Sequence, residues 1–158
     1  MVDVSELPQR IAKEVIDFDS EPVTGCSVTV LPPFLPEAVC LEATVIGPPV
    51  TPYEGGFFKL LISIPFNYPI NPAKLRFVTK IFHCNVDPDG DVSVASPSTT
   101  ESSRALPSLC EVLQSIVSML LAPNVDDVKV PEIALLYQHD RAEHDRLARA
   151  CTRRYASV

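Results

Sequence analysis

Residues 39–64 read VCLEATVIGPPVTPYEGGFFKLLISI, and this stretch decides the fold class. Both of its ends have apolar residues at every second position: Val39, Leu41, Ala43 and Val45, then Phe58, Leu60, Ile62 and Ile64. A period of two is typical of strands with one buried face. Gly and Pro dominate the residues in between, so the stretch predicts two adjacent antiparallel strands joined by a turn.

Two shorter runs extend this pattern in both directions along the chain. Cys26, Val28 and Val30 alternate with polar neighbours before it, and Leu75 and Phe77 do so after it. Proline-containing turns separate the runs. The sequence therefore predicts a four-stranded antiparallel meander, followed by an irregular stretch that runs from Phe77 to about residue 105.

Helical spacing precedes and follows the predicted sheet. Leu7, Ile11, Val15 and Phe18 form one apolar stripe, which predicts an N-terminal helix over residues 5–19. Apolar residues return at helical spacing over 106–120, where a central helix is expected to end before Pro123. Two further helices are predicted over 131–138 and 140–155, the last with Leu147 and Cys151 as its apolar side. The fold class is thus α+β, in one domain over residues 1–158.

Charge and cysteine content exclude several classes of function. The net charge is −7 over 158 residues without a basic cluster, which disfavours nucleic-acid binding. The five cysteines are scattered, and the histidines do not stand at zinc-ligand spacing from them, so neither disulfides nor a metal site is expected. Neither a signal peptide nor a membrane-spanning run is recognisable. We expect a cytoplasmic or nuclear protein without membrane or nucleic-acid partners.

Six motifs, in this order, resemble signatures of the ubiquitin-conjugating enzymes. They are GPPVTPYEGGFF at 47–58, PFNYPINP at 65–72, TKIFHCNV at 79–86, GDVS at 90–93, PNVDD at 123–127 and VPEIA at 130–134. The similarity extends from about Gln9 to Tyr155. It implies the fold of that family, no cofactor, and a role with ubiquitin or a ubiquitin-like modifier. The expected partners are a ubiquitin ligase or another conjugating enzyme and, for charging, the activating enzyme.

Ser93 occupies the position where the resembling family keeps its catalytic cysteine. That cysteine carries the modifier as a thioester, because a thiolate both attacks and leaves readily near neutral pH. A serine needs a base to do the same, and the sequence around Ser93 offers only Asp91, a weak one. We therefore favour a plain loop hydroxyl over serine catalysis, and we place a dyad of Ser93 with His83 behind both.

Two further residues match catalytic positions of the family. Asn85 matches the asparagine whose amide stabilises an oxyanion or orders the loop, and a simple turn role is equally open. Asp127 matches the carboxylate near the incoming lysine, with turn chemistry as the alternative. Cys84 replaces the proline of the family's HPN motif and is not expected to replace the missing nucleophile.

The resemblance also assigns a surface for partners. Arg10 and Lys13 match the basic helix face of the ligase-binding patch, Pro69 and Ile70 its first loop, and Ala105 its second. Asp3 and Glu6 put negative charge where members that engage the activating enzyme carry basic residues, which should weaken that encounter. Ser27 matches a position used by some members to bind ubiquitin on the outer sheet face.

The sequence leaves two main hypotheses about function. The favoured one is a conjugating-enzyme-like protein that lacks thioester activity and acts through non-covalent partners. The alternative is an active ubiquitin-conjugating enzyme, passing modifier to a substrate lysine, in which Ser93 has been put in place of the catalytic cysteine. A serine acyl-transfer enzyme on this fold is a remote third.

Overall fold

The structure is a computed structural model that describes residues 9–31, 38–65, 74–92, 109–124 and 128–157, without the side chains of Gln9 and Arg10. In these ranges the chain forms four helices and five strands. In chain order they are α1 (Gln9–Ser20), β1 (Cys26–Val30), β2 (Ala38–Ile46), β3 (Phe57–Pro65), β4 (Lys74–Phe77), β5 (Asp91–Val92), α2 (Leu109–Leu121), α3 (Pro131–His139) and α4 (Arg141–Tyr155). The predicted α+β class is confirmed.

The strands form one antiparallel sheet in the order β1-β2-β3-β4-β5. The long pairing of β2 with β3 opposes Leu41 to Ile62 and Ala43 to Leu60, so alternate residues of both strands face the core. The sheet has one strand more than the predicted four. Asp91 and Val92 pair with Arg76 and Leu75 inside the stretch expected to be irregular. A strand of two residues is too short to show a period, which is why the sequence gives no sign of it.

Helices cover one face of the sheet and complete the core. The predicted α1 stripe is confirmed for its described members, since Ile11, Val15 and Phe18 are all buried. In α2 the buried residues lie on one face, at Leu109, Val112, Leu113, Ile116, Met119 and Leu120. Helix α1 packs against α2, and α3 packs against α4. Glu14 of α1 accepts a hydrogen bond from the N–H of Leu109 at 3.0 Å, which ties α1 to the first turn of α2.

The buried face of α4 differs from the predicted one. His144, Ala148 and Thr152 are buried, whereas Leu147 and Cys151 are half-buried beside them. Residues four apart share a helix face, so the three form one stripe. Two of them are polar, and hydropathy therefore pointed to the neighbouring positions. The side chain of Asp140 caps the start of α4 by accepting from the N–H of Glu143 at 3.2 Å.

Candidate functional site

The His83–Asn85 segment lies in the interior, between the β4 edge of the sheet and the end of α2. The His83 side chain is fully buried, and its Nε2 lies 2.8 Å from the carbonyl oxygen of Met119. Its Nδ1 accepts the backbone N–H of Asn85 at 3.0 Å. Because Nδ1 accepts, the proton is on Nε2 and is donated to Met119. His83 is therefore a neutral side chain that ties this segment to α2.

The environment of His83 disfavours its charged form. Burial lowers the pKa of the imidazole to about 4, although the hydrogen bond to the Met119 carbonyl opposes the shift. Both ring nitrogens are committed to main-chain groups. In this arrangement the ring has no lone pair to offer as a general base, which argues against the dyad of His83 with Ser93.

Tyr53, from the PYEGG motif, packs directly against this histidine. The ring centroids of the two residues are 5.7 Å apart, and the Tyr53 hydroxyl donates to the carbonyl oxygen of Phe82 at 2.8 Å. The hydroxyl is buried, and desolvation raises the pKa of Tyr53 well above its ordinary value. The loop reaches this position because Gly47 has no side chain: a Cβ there would lie 1.8 Å from the Tyr53 carbonyl oxygen. The sequence motif therefore anchors the segment that precedes His83.

Cys84 is buried and faces away from solvent. Its exposed fraction is 1%, and burial raises the pKa of its thiol. The carbonyl oxygen of Cys84 accepts the N–H groups of Lys129 and Val130, at 2.8 and 3.1 Å, which joins the segment to the start of α3. A buried thiol of raised pKa carries little thiolate near neutral pH and is a poor nucleophile.

Asn85 makes a two-way bond with the backbone of Asn124, beyond the end of α2. Its Nδ2 donates to the Asn124 carbonyl oxygen at 2.7 Å, and its Oδ1 accepts the Asn124 N–H at 2.8 Å. The carboxamide thus pairs with one peptide unit as a neighbouring strand would. Of the two roles left open for Asn85, the ordering of a loop has direct support in these contacts.

The 86–92 hairpin leads from this segment back into the sheet. Val86 pairs with Val92, and one carboxylate oxygen of Asp87 accepts the N–H groups of Asp89 and Asp91 at 2.9 and 3.0 Å. Gly90 has a φ of +96°, and a Cβ there would lie 2.2 Å from the carbonyl oxygen of Phe77. Glycine is therefore required at position 90 for the hairpin to close against β4. Val92, the last residue of β5, directly precedes Ser93 in the chain.

The two remaining predicted catalytic residues, Ser93 and Asp127, lie outside the described residues. So do Pro69, Ile70 and Ala105 of the predicted partner surface, together with Asp3 and Glu6. Lys13 is exposed on α1, and Arg10 lies on the same helix without a described side chain. Ser27 is exposed on β1. The predicted assembly of Ser93, Asn85 and Asp127 therefore stays a prediction.

Sequence reasoning missed the groups that hold the segment in place. The partners of His83 and Asn85 are backbone atoms of Met119 and Asn124, which are 36 and 39 residues further along the chain. Tyr53 was recognised as part of a motif without a role. Within the described ranges, no group of three or more His, Cys, Asp or Glu side chains could hold a metal ion. None of the helices found there is long and apolar enough to cross a membrane.

The fold and this segment agree with a comparison against protein families. A model of the ubiquitin-conjugating enzyme family matches residues 10–152, nearly the whole chain. The chain therefore belongs to the ubiquitin-conjugating enzyme family, as its motifs predict.

Proposed function

We propose that this protein is a single-domain member of the family that has lost thioester chemistry and acts through non-covalent partners in a ubiquitin-type pathway. The observation that carries the proposal is Ser93, the serine at the position of the family's cysteine. An alkoxide is harder to form than a thiolate and is a worse leaving group. A modifier attached there as an ester would form slowly and pass slowly to an amine.

The contacts of His83 support this proposal. The imidazole is the titratable base nearest to Ser93 in the family motif, but its Nδ1 accepts from Asn85 and its Nε2 donates to Met119. To serve a serine hydroxyl it would have to give up one of these bonds in a buried site. Leaving a buried polar group unpaired costs about 1–3 kcal/mol.

Cys84 does not supply the missing thiol either. Its side chain is buried, and its nearest polar contact is Asn85 Oδ1, at 3.8 Å from the sulfur. To reach an acyl group, the thiol would have to leave the interior and break the hydrogen bonds that its carbonyl oxygen makes. The thiol nearest to Ser93 in the sequence is thus a packing residue.

The alternative is an active conjugating enzyme in which a serine has replaced the cysteine. One observation favours it: the bonds of His83 and Asn85, and the hairpin closed by Gly90, form a complete support for residue 93. In an enzyme that had long lost its chemistry, this support could have decayed. Asn85 and Asp127 would then act with a restored cysteine, in the roles that the resemblance implies.

A charging assay tests the proposal. The purified protein is mixed with activating enzyme, ATP and modifier, and adducts are separated with and without DTT. We expect no adduct. A DTT-resistant band that disappears in Ser93→Ala would show an ester at Ser93, and a DTT-sensitive band that disappears in Cys84→Ala would show a thioester at Cys84. Either result would overturn the proposal.

The partners are proposed from the family resemblance. Arg10, Lys13, Pro69, Ile70 and Ala105 form the proposed surface for a ligase or for a second conjugating enzyme. The exposure of Lys13 on α1 is compatible with this role. The modifier itself is the further proposed partner, held without a covalent bond.

A further inference from the structure

A groove of about 650 Å³ lies on the far side of the 86–92 hairpin, between this hairpin, residues 78–82, the start of α3 and α4. This volume is within the range of ligand sites, roughly 300–1,000 Å³. Apolar side chains line much of it: Leu61, Val78, Ile81, Phe82, Ile133 and Cys151. Val78 is 64% exposed. A concave apolar surface of this size is typical of a binding site.

Cations stand along the rim of this groove. Arg76 and Lys80 line it, and the Lys80 Nζ lies 5.1 Å from the centroid of the Tyr155 ring. The Arg154 guanidinium lies 5.4 Å from the same ring, which therefore holds two cations beside α4. Among the described residues, none of these three cations has a carboxylate at salt-bridge distance. In a chain of net charge −7, this is a local excess of positive charge.

The opposite end of the groove has the other sign. Asp87 and Asp89 line it where the hairpin turns. One carboxylate oxygen of Asp87 is already bound to two N–H groups of the hairpin, and the Asp89 carbonyl oxygen accepts from Arg76 Nε at 2.9 Å. The positive end next to α4 and the apolar walls are therefore the parts that can attract a partner.

We propose that this groove binds an acidic peptide segment of a partner protein, with aliphatic side chains between its carboxylates. The aliphatic side chains fill the space lined by Val78, Ile81 and Ile133. The carboxylates meet Lys80 and Arg154 at the α4 end. This interaction does not depend on Ser93 and uses none of the residues of the proposed ligase-binding surface.

Two further observations support a peptide as the occupant. Burial raises the pKa of the Cys151 thiol, and the charge of Lys80 opposes that shift, so the cation acts at the wall of the groove. A nucleic acid would place phosphates along the whole length, where Asp87 and Asp89 repel them and the apolar walls offer them no donors. A peptide can match both the charge at one end and the apolar surface beside it.

Fluorescence anisotropy with short labelled peptides tests the proposal. The probe alternates Leu and Ile with Asp and Glu; one comparison peptide replaces its acidic residues by Lys, and another replaces its aliphatic residues by Ser. We expect the acidic aliphatic probe to bind most tightly. Lys80→Glu should weaken its binding about tenfold, and Val78→Ser about threefold.

Arg149→Glu is the matched control for charge. Arg149 is two residues before Cys151 on α4, hence about 200° around the helix from the groove, and it is exposed. This change should alter binding less than about twofold. Thermal melts of all variants check that they are folded, and Val78→Ser is safe in this respect because Val78 is exposed.

Occupancy of the groove has a second readout in thiol alkylation. The bound probe should slow the modification of Cys151 and leave that of Cys110 unchanged, since both thiols are half-buried but only Cys151 lines the groove. Equal effects of Lys80→Glu and Arg149→Glu, or no binding up to about millimolar probe, would overturn the proposal. So would an oligonucleotide that binds more tightly than the peptide and is insensitive to Val78→Ser.

Discussion

Asn85 and Asn124 are joined by two hydrogen bonds in opposite directions, at 2.7 and 2.8 Å, between a side-chain amide and a peptide unit. This pair connects the end of α2 to the His83–Asn85 segment. Met119, one turn earlier on the same side of the chain, accepts from His83. Three side-chain bonds therefore fix the segment that precedes the 86–92 hairpin.

Asn85→Ala should lower the free energy of unfolding by about 2 kcal/mol. The change removes both bonds and leaves partly buried backbone groups of Asn124 without these partners. Urea denaturation measures the loss. Gln114→Ala, at an exposed position of α2, is the control and should stay within about 0.5 kcal/mol of the unchanged protein. A similar effect of both changes would mean that the bonds to Asn124 contribute nothing.

The burial of His83 should make stability fall as the pH is lowered from 6.5 toward 4. The pKa of His83 is about 4 in the folded protein and 6.5 in its absence, so the unfolded chain binds more protons in this interval. The contribution is fully present above pH 6.5 and amounts to about 3 kcal/mol. Urea midpoints measured across this pH range detect it.

His83→Gln is the comparison variant for this pH dependence. Glutamine does not titrate but can still donate to the Met119 carbonyl oxygen. Its stability should be lower at neutral pH and should depend less on pH between 4 and 6.5. Carboxylates contribute to both proteins equally, so the difference in slope isolates the histidine. Parallel curves for the two proteins would contradict a buried neutral His83.

Val50 stores strain in the loop between β2 and β3. Its φ is +63°, a region that β-branched residues avoid, and its side chain is 96% exposed. The Thr51 hydroxyl, which donates to the Pro48 carbonyl oxygen at 2.7 Å, helps to hold this turn. Val50→Asn should raise the free energy of unfolding by about 1 kcal/mol, because asparagine tolerates this conformation.

Val78→Asn is the matched control for Val50→Asn. Val78 is also exposed, but its φ is not positive. The same exchange there relieves no strain, and the change in stability should be close to zero or slightly unfavourable. If both substitutions shifted the urea midpoint equally, the conformation of Val50 would not be the cause.

Local patterns predicted most of the fold, and long-range contacts account for what they missed. The stripe of α1 and the alternation of β2 and β3 are periodic over many residues and could be recognised directly. Strand β5 depends on the closure of the 86–92 hairpin against β4, and two residues show no period. The buried stripe of α4 runs through His144 and Thr152, which a hydropathy pattern passes over.

The candidate site was predictable only as far as the motifs reached. They identified His83 and Asn85, but main-chain atoms of distant residues hold these side chains, and any residue type could supply such atoms. The groove beside α4 had no motif at all. It results from segments far apart in the sequence, with Lys80 and Cys151 brought together at its wall.

Ile70→Ala should weaken binding to a ligase domain or partner conjugating enzyme about thirtyfold. In the resembling family this position carries the apolar anchor of the ligase interface, and truncating such an anchor costs about 2 kcal/mol. Ser93→Ala should change the affinity less than about twofold. Reversal of Arg10 should mainly slow association and make it less sensitive to salt. Calorimetry and stopped-flow measurements against a panel of ligase domains test this; tight binding that ignores Ile70→Ala would point to another face, such as the outer sheet face around Ser27.

Ser93→Cys separates natural loss of the thioester site from replacement of a single residue. If the site was lost naturally, the restored thiol should charge at least about tenfold more slowly than that of an active family member, because Asp3 and Glu6 oppose the encounter with the activating enzyme. Adding Asp3→Lys and Glu6→Lys to Ser93→Cys should then raise the rate. If only the cysteine had been replaced, Ser93→Cys alone would charge fully and the two lysines would add little. The initial rate of DTT-sensitive adduct formation, compared among these variants and Ser93→Ala, distinguishes the two histories, and fast charging by Ser93→Cys alone would favour the active enzyme.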